Sequence, residues 1–125
     1  MPIDAKQPYD AGNIFARILR GEVPAKTVLE SEHCLAFHDI NPLAPIHVLV
    51  IPKGAYVSWD DFAAKASDTE IADFTRTIGK VAAQVGADQQ GYRLLSNIGK
   101  RGGQEVPHLH VHVFGGAPLG PMLAK

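Results

Sequence analysis

The chain has 125 residues, 46% of them hydrophobic and 20% charged, a composition that fits an ordinary globular domain and excludes wholesale disorder or a fibrous repeat. Twelve basic side chains against thirteen acidic ones leave a net charge of −1, without the dense positive field that nucleic-acid backbones require. The longest apolar run, Val48–Ile51 extended by Pro52, falls far short of the roughly 20 residues that span a bilayer, so neither nucleic acid nor membrane is an expected partner.

Residues 1–12, with Pro2, Pro8 and Gly12, show no periodicity and are expected to form a loosely ordered leader. They lack a basic region followed by an apolar stretch, and Cys34 is the sole cysteine, so a reducing, cytoplasmic compartment is expected. Ile14, Phe15, Ile18 and Leu19 recur at helical spacing between the cap candidate Asn13 and the stop Gly21, which predicts a short helix over about 13–20. Residues 26–30 and 34–39 are β-compatible, Asn41-Pro42 is a turn signal, and the β-branched run HVLVIP (47–52) is closed by proline. These three runs predict a meander, with Cys34 as a buried thiol without a role.

Residues 53–66 read as a long loop with a helical turn. Ser67 and Glu70 form a potential capping box ahead of Ile71, Phe74, Ile78, Val81 and Val85, which predicts the main helix, ending at Gly86. Strands over 92–97 and 108–114, separated by GKRGGQEVP, complete a count of five strands and two helices. Many of the connections are too short for parallel crossovers, so an α+β fold on a mainly antiparallel sheet follows. With no internal repeat or linker, residues 13–125 are expected to form a single domain.

Three of the six histidines stand at alternate positions in HLHVHVF, residues 108–114. In an extended strand His108, His110 and His112 would share one face at a spacing of about 6.6 Å, with Leu109, Val111 and Val113 on the other. Taken by themselves, these residues leave three readings open. They are a solvated strand face, a metal site built on His-x-His, or covalent catalysis in which one imidazole nitrogen is held by an acceptor and the other attacks an electrophile. Phosphorus is the favoured electrophile, because the glycines of GKRGGQ permit backbone N–H groups to converge on an anion. The segment is not a P-loop, since the chain has no GxxxxGK[ST] pattern.

HLHVHVF resembles the His-φ-His-φ-His-φ-φ signature of the histidine triad (HIT) superfamily. NIFARILRGEVPAK, CLAFHDINPLAPIHVLVIPK, GYRLLSNIGKRGGQEVPHLHVHVFGG and PLGPMLAK are similar to the corresponding stretches of its nucleotide-binding Hint branch, in the bacterial form, from about residue 13 onward. The resemblance implies a homodimer in which each protomer's five-stranded antiparallel sheet and two helices join into ten strands. It also implies binding of purine nucleoside monophosphates and metal-independent, cofactor-free hydrolysis of AMP or GMP phosphoramidates and of acyl or aminoacyl adenylates.

On that model His110 attacks the α-phosphorus, His112 contacts the phosphate and assists the leaving group, and His108 and His47 support the ring network. Asp39 would face the ribose hydroxyls, and Ile14, Phe15, Ile18, Phe37 and Ile40 would line the base pocket, with His38 next to it. Asn97 and the backbone of Gly103, Gln104, Glu105 and Val106 would stabilise charge on the phosphorus oxygens. Many relatives carry Cys-x-x-Cys for a structural zinc where this chain has Asn13 and Ala16, so no metal is expected with His33 and His108. Glu105 stands where animal members have a hydrogen-bond-donating serine, and Pro107 replaces an aromatic residue. The alternatives that accompany the phosphoramidase reading are a nucleotide-binding partner protein with incidental hydrolysis and a dinucleoside polyphosphate hydrolase.

Overall fold

Alternation along the central strands separates the molecule into two apolar layers. The computed structural model describes residues 2–124; Met1, which opens the expected leader, and Lys125, which closes the expected domain, lie outside the described residues. Strands β1 (Thr27–Glu30), β2 (Cys34–His38), β3 (Ile46–Pro52), β4 (Arg93–Leu95) and β5 (Val111–Gly115) form one sheet in the order β1-β2-β3-β5-β4, every pair antiparallel. Cys34, Ala36, Val48, Val50, Val111 and Val113 point to one face, where they pack with Phe62, Phe74, Ile78, Val81 and Leu109. Leu35, Phe37, Leu49 and Ile51 point to the other, against Phe15. A period of two, apolar on both faces, is what a central strand covered on both sides demands.

Helix α1 (Ile14–Leu19) covers the second face; the Asn13 side chain caps it by accepting from the Ala16 N–H. Helix α3 (Asp68–Gln84) covers the first face through Phe74, Thr77, Ile78, Val81 and Ala82, and the expected capping box of Ser67 and Glu70 is present. The Asp73 carboxylate on α3 accepts from Ser31 Oγ (2.6 Å) and the His33 N–H (3.0 Å), which fastens the β1–β2 turn to the helix. No helix among the described residues is long and apolar enough to cross a membrane.

The five strands and the two expected helices are present, but two further helices are added. Helix α2 (Trp59–Lys65) occupies what the sequence suggests is mostly loop, started by a capping box of Ser58 and Asp61. Helix α4 (Gly99–Gly102) lies inside the glycine-rich segment, followed by a 3-10 type closure onto Gly103 at φ +79°. A separate 3-10 turn covers Ala87–Gln89. The last strand also starts later than expected, at Val111, because the Leu109 N–H donates to the Tyr56 carbonyl (2.9 Å) and not into the sheet.

The described part of the leader, residues 2–12, contains neither helix nor strand, yet it is tied down by hydrogen bonds. The Ile3 N–H donates to the Gln104 carbonyl (2.8 Å) and Ser58 Oγ donates to the Ala5 carbonyl (3.2 Å), so residues 3–5 are tied to the loop after α4 and to the cap of α2.

The pairing of β3 with β5 sets the site, since it places His47 opposite Phe114 and Leu49 opposite His112. Gly116 closes that pair at φ +87°, where an added Cβ would stand 2.8 Å from Pro45 Cβ, whereas one at Gly120 (φ +80°) would meet nothing within 4 Å. Both substitutions to alanine carry left-handed strain, and Gly116→Ala adds a steric term of about 1–3 kcal/mol. Urea unfolding should therefore show Gly116→Ala clearly below Gly120→Ala in stability; equal losses would contradict the close approach.

Candidate active site

The four histidines of interest come from two adjacent strands and the segment that leads into one of them. His47 lies on β3, His112 on β5, and His108 and His110 in the segment before β5, His108 at a bend. The rings of His110 and His112 stand 5.2 Å apart, and those of His47 and His112 likewise 5.2 Å apart. His108 is completely buried, His47 and His110 nearly so, and His112 is half-buried.

Buried rings must have their nitrogens satisfied, and the partners decide where each proton sits. His110 Nδ1 lies 2.7 Å from the His108 carbonyl, which only accepts, so Nδ1 carries the proton and Nε2 keeps a free lone pair. His47 Nδ1 accepts from the Leu43 N–H (3.1 Å), which puts the His47 proton on Nε2. That proton points at His112 Nδ1, 2.9 Å away, so neutral His112 carries its own proton on Nε2. Two neighbouring imidazoles are thus held in opposite tautomers, one offering a lone pair and the other an N–H. His108 is fixed too: Nε2 donates to the Pro52 carbonyl (2.8 Å), and Nδ1 accepts from the Tyr9 hydroxyl (2.6 Å).

Burial keeps all four rings neutral. It lowers His108 and His112 to a pKa of about 4, in each case reinforced by the repulsion that a protonated His110 would exert, with the His108–Pro52 hydrogen bond and Asp39 respectively opposing. His110 and His47 are also lowered by burial, partly offset in His110 by its bond to the His108 carbonyl and in His47 by Asp39. Phe114 completes the surround, stacked on His112 at 5.4 Å and 4.2 Å from His47.

Asp39, His47 and His112 bring one ligand atom each within 4.8 Å of one another, the one candidate metal cluster among the described residues. The donor set does not suit an ion. A neutral histidine that ligates through Nε2 needs an acceptor for its Nδ1–H, and His47 Nδ1 faces a backbone donor instead. The pair His33 and His108 has no thiolates beside it, because Asn13 is the α1 cap and Ala16 lies buried behind it.

The residues expected around the nucleotide are only partly brought together. Phe15 stands edge-on to His110 at 4.9 Å and to Phe37 at 5.6 Å, and Ile18 packs on the same cluster. Ile14 is partly exposed, His38 is exposed, and Ile40 is 92% exposed on the β2–β3 loop. The nearby cleft of about 560 Å³ is lined by Ile18, Leu19, Ala25, Leu35 and Lys53 among others, and shares only Ile18 with the expected set. Asp39 uses Oδ1 to accept from the Asn41 N–H (2.8 Å) and places Oδ2 3.5 Å from His47 Nε2.

The anion loop departs further from expectation. The N–H groups of Gly103 and Gln104 close the α4 turn onto the carbonyls of Lys100 and Gly99, and the Gly99 N–H is taken by Gln104 Oε1 (3.0 Å). Gln104 is itself a buried brace, its Nε2 donating to the carbonyls of Val57 and Val106. Of the N–H groups expected at the phosphate, Gly103 to Val106, those of Glu105 and Val106 have no backbone or side-chain acceptor among the described residues. The Glu105 side chain is exposed, and Asn97 is half-buried at the β4–α4 turn. Cys34 is fully buried and its thiol is pushed up to about 12 by burial, which removes it from the chemistry.

Three groups in the network lie outside the residues singled out from the sequence. Leu43 acts through its backbone N–H, which no side-chain pattern reveals. Phe114 was foreseeable as the next alternate position after His112. Tyr9 sits in a segment without periodicity, so nothing in the sequence marks it.

The HIT domain family model matches residues 20–119. An uncharacterized 13.2 kDa HIT-like protein of Azospirillum brasilense is 64% identical over 117 residues, covering 94% of this chain and 96% of that protein. The purine nucleoside phosphoramidase of Escherichia coli K12 is 41% identical over 111 residues, covering 89% and 92%. Among solved structures, a histidine triad protein from Clostridium difficile superposes with a TM-score of 0.77 at 42% identity, covering 88% of this chain and 95% of that one. A HIT family hydrolase from Clostridium thermocellum reaches 0.79 at 35% identity, covering 90% and 97%.

Neutral buried rings make stability depend on pH. The unfolded chain takes up protons near the ordinary imidazole pKa of 6.5, while folded His108 resists until about 4, so stability is lost as pH falls through that window. His108 alone should cost about 2–3 kcal/mol between pH 7 and 4.5. Urea midpoints measured across that range should fall steadily, and a flat profile would contradict the buried neutral ring.

Proposed function

Because the chain belongs to the HIT domain family, whose members similar to it include hydrolases and a phosphoramidase, we propose that it is a purine nucleoside phosphoramidase that works without metal through a nucleotidyl-His110 intermediate. The observation that carries this reading is the opposed tautomers of His110 and His112, a lone pair and an N–H presented side by side.

His110 Nε2 attacks the α-phosphorus of an AMP or GMP phosphoramidate, or of an acyl or aminoacyl adenylate. A P–N bond to the imidazole forms as the bond to the leaving group breaks. The positive charge that develops on the His110 ring is met by the His108 carbonyl on Nδ1–H. The departing amine needs a proton, and because His112 is neutral it relays one, giving its Nε2–H to the leaving nitrogen as a proton from solvent replaces it. Such general-acid help contributes about 10² to 10⁴ in rate. Water then attacks the nucleotidyl-histidine, loses its proton to solvent through the same relay, and releases the nucleoside monophosphate with His110 restored. The free N–H groups of Glu105 and Val106 and the side chain of Asn97 serve the phosphorus oxygens, Asp39 the ribose hydroxyls, and Phe15, Phe37, Ile14, Ile18 and Ile40 the base.

The reading includes a homodimer in a reducing, cytoplasmic compartment. The outer strand β4 supports it, with a free hydrogen-bonding edge and with Leu94 48% exposed next to partly exposed Tyr92.

Hydrolysis of a fluorogenic adenosine 5′-phosphoramidate in the presence of chelator tests the activity. Wild type should turn over, and His110→Ala should lose roughly 10³-fold or more in kcat/KM. Loss of turnover on chelation, or activity retained by His110→Ala, would overturn the mechanism, and tight AMP binding without turnover would leave a binding protein. The same assay reads the pH dependence. His110 attacks only as the neutral ring, and burial lowers its pKa, so kcat/KM should hold its plateau below pH 6.5 and fall only at more acid values. An acid limb centred at or above 6.5 would contradict the buried nucleophile.

A further inference from the structure

The hydroxyl that satisfies His108 comes from outside the sheet. Tyr9 is carried on the N-terminal segment, which is pinned on both sides of it. Upstream, Ile3 and Ala5 bond to Gln104 and Ser58. Downstream, the Asp10 carbonyl accepts from both the side chain (2.7 Å) and the backbone N–H (3.2 Å) of the helix cap Asn13, and the Ala11 carbonyl accepts from Arg20 (2.8 Å). A segment with no regular structure is thereby held taut across the buried end of the histidine row. The Tyr9 ring meets that of His108 edge-on at 5.6 Å.

We propose that Tyr9 is a positioning residue for the histidine row, its hydroxyl fixing the His108 ring from the Nδ1 side as the Pro52 carbonyl fixes it from Nε2, and thereby holding the His108 carbonyl on which the His110 ring is oriented. This rests on the functional reading given above for His110. The links are continuous: Tyr9 hydroxyl to His108 Nδ1 (2.6 Å), His108 Nε2 to the Pro52 carbonyl (2.8 Å), and His108 carbonyl to His110 Nδ1 (2.7 Å). Phe15 couples the two rings sterically, edge-on to His110 at 4.9 Å and to His108 at 6.3 Å, so a turn of His108 presses on both.

Chemistry shows why the hydroxyl matters. His108 is completely buried, with its burial holding it neutral, so a bare Nδ1 would be a buried acceptor with no donor. Such a group is costly enough for the ring to seek another arrangement. Moving the ring proton to Nδ1 would not relieve this, because it would break the bond to the Pro52 carbonyl and leave a donor without an acceptor, so the ring must turn to find a partner. Tyr9 does not touch the reacting atoms, and its effect passes entirely through His108.

Tyr9→Phe removes the oxygen and keeps the ring. The full chain carrying this change should retain the wild-type thermal midpoint to within a few degrees, since the ring packing survives. Ring nitrogen spectra of wild type should show His108 with Nε2 protonated and Nδ1 as a hydrogen-bonded lone pair, and the variant should lose that signature. With the fluorogenic phosphoramidate, kcat should fall roughly 5- to 50-fold while KM stays within about two-fold. Unchanged His108 signals overturn the proposal, and so does a changed ring with an unchanged kcat. The ring spectra need no substrate, so a wild-type protein that hydrolyses no phosphoramidate would refute the functional reading while the spectra still judge the hold of Tyr9 on His108.

Discussion

A buried neutral imidazole has one proton for two nitrogens, and whichever nitrogen the protein commits decides what the other can do. In this chain three of the four commitments are made by backbone groups, and that of His112 by the His47 ring. The Leu43 N–H takes a lone pair of His47, the His108 carbonyl takes the proton of His110, and the Pro52 carbonyl takes that of His108. Donors and acceptors fixed in the main chain cannot rotate away as hydroxyls do, so the tautomers are set before any ligand arrives. Such preorganisation costs no rearrangement at the moment of reaction.

The sheet makes those commitments possible. His47 and His112 face each other only because β3 and β5 pair with Val48 opposite Val113, which turns both imidazoles to the α1 side and leaves the valines for the α3 core. A register slip of one residue would exchange the two sets and bury the histidines under α3. The start of β5 at Val111 matters as much. Ahead of it the chain leaves the ladder, and the His108 carbonyl is free to receive the His110 ring.

Much of this was legible and the reasons are local. Cys34–His38 and Ile46–Pro52 were readable as strands because their β-branched and apolar runs end in turn signals, and Asp68–Gln84 was readable because its apolar spacing is helical and its cap is Ser with Glu. Helix α2 escaped because its capping box uses Asp61 in place of Glu and its first apolar residue is the exposed Trp59. Helix α4 escaped because glycines disguise a single turn. The importance of the histidine row was plain from its alternation. The tautomers were not, since they depend on carbonyls and N–H groups that every residue carries. The same holds for the glycine-rich loop, whose N–H groups promised an anion cradle but are largely spent on α4 and on Gln104.

The central claim is that His110 and His112 are neutral at pH 7 in opposite tautomers. Nitrogen-15 spectra of the histidine rings in the unliganded protein test it directly, because a lone-pair nitrogen and a protonated one resonate far apart. The account predicts His110 with a bare Nε2 and His112 with a protonated Nε2. Finding the same tautomer in both rings, or His110 protonated on both nitrogens, would contradict it.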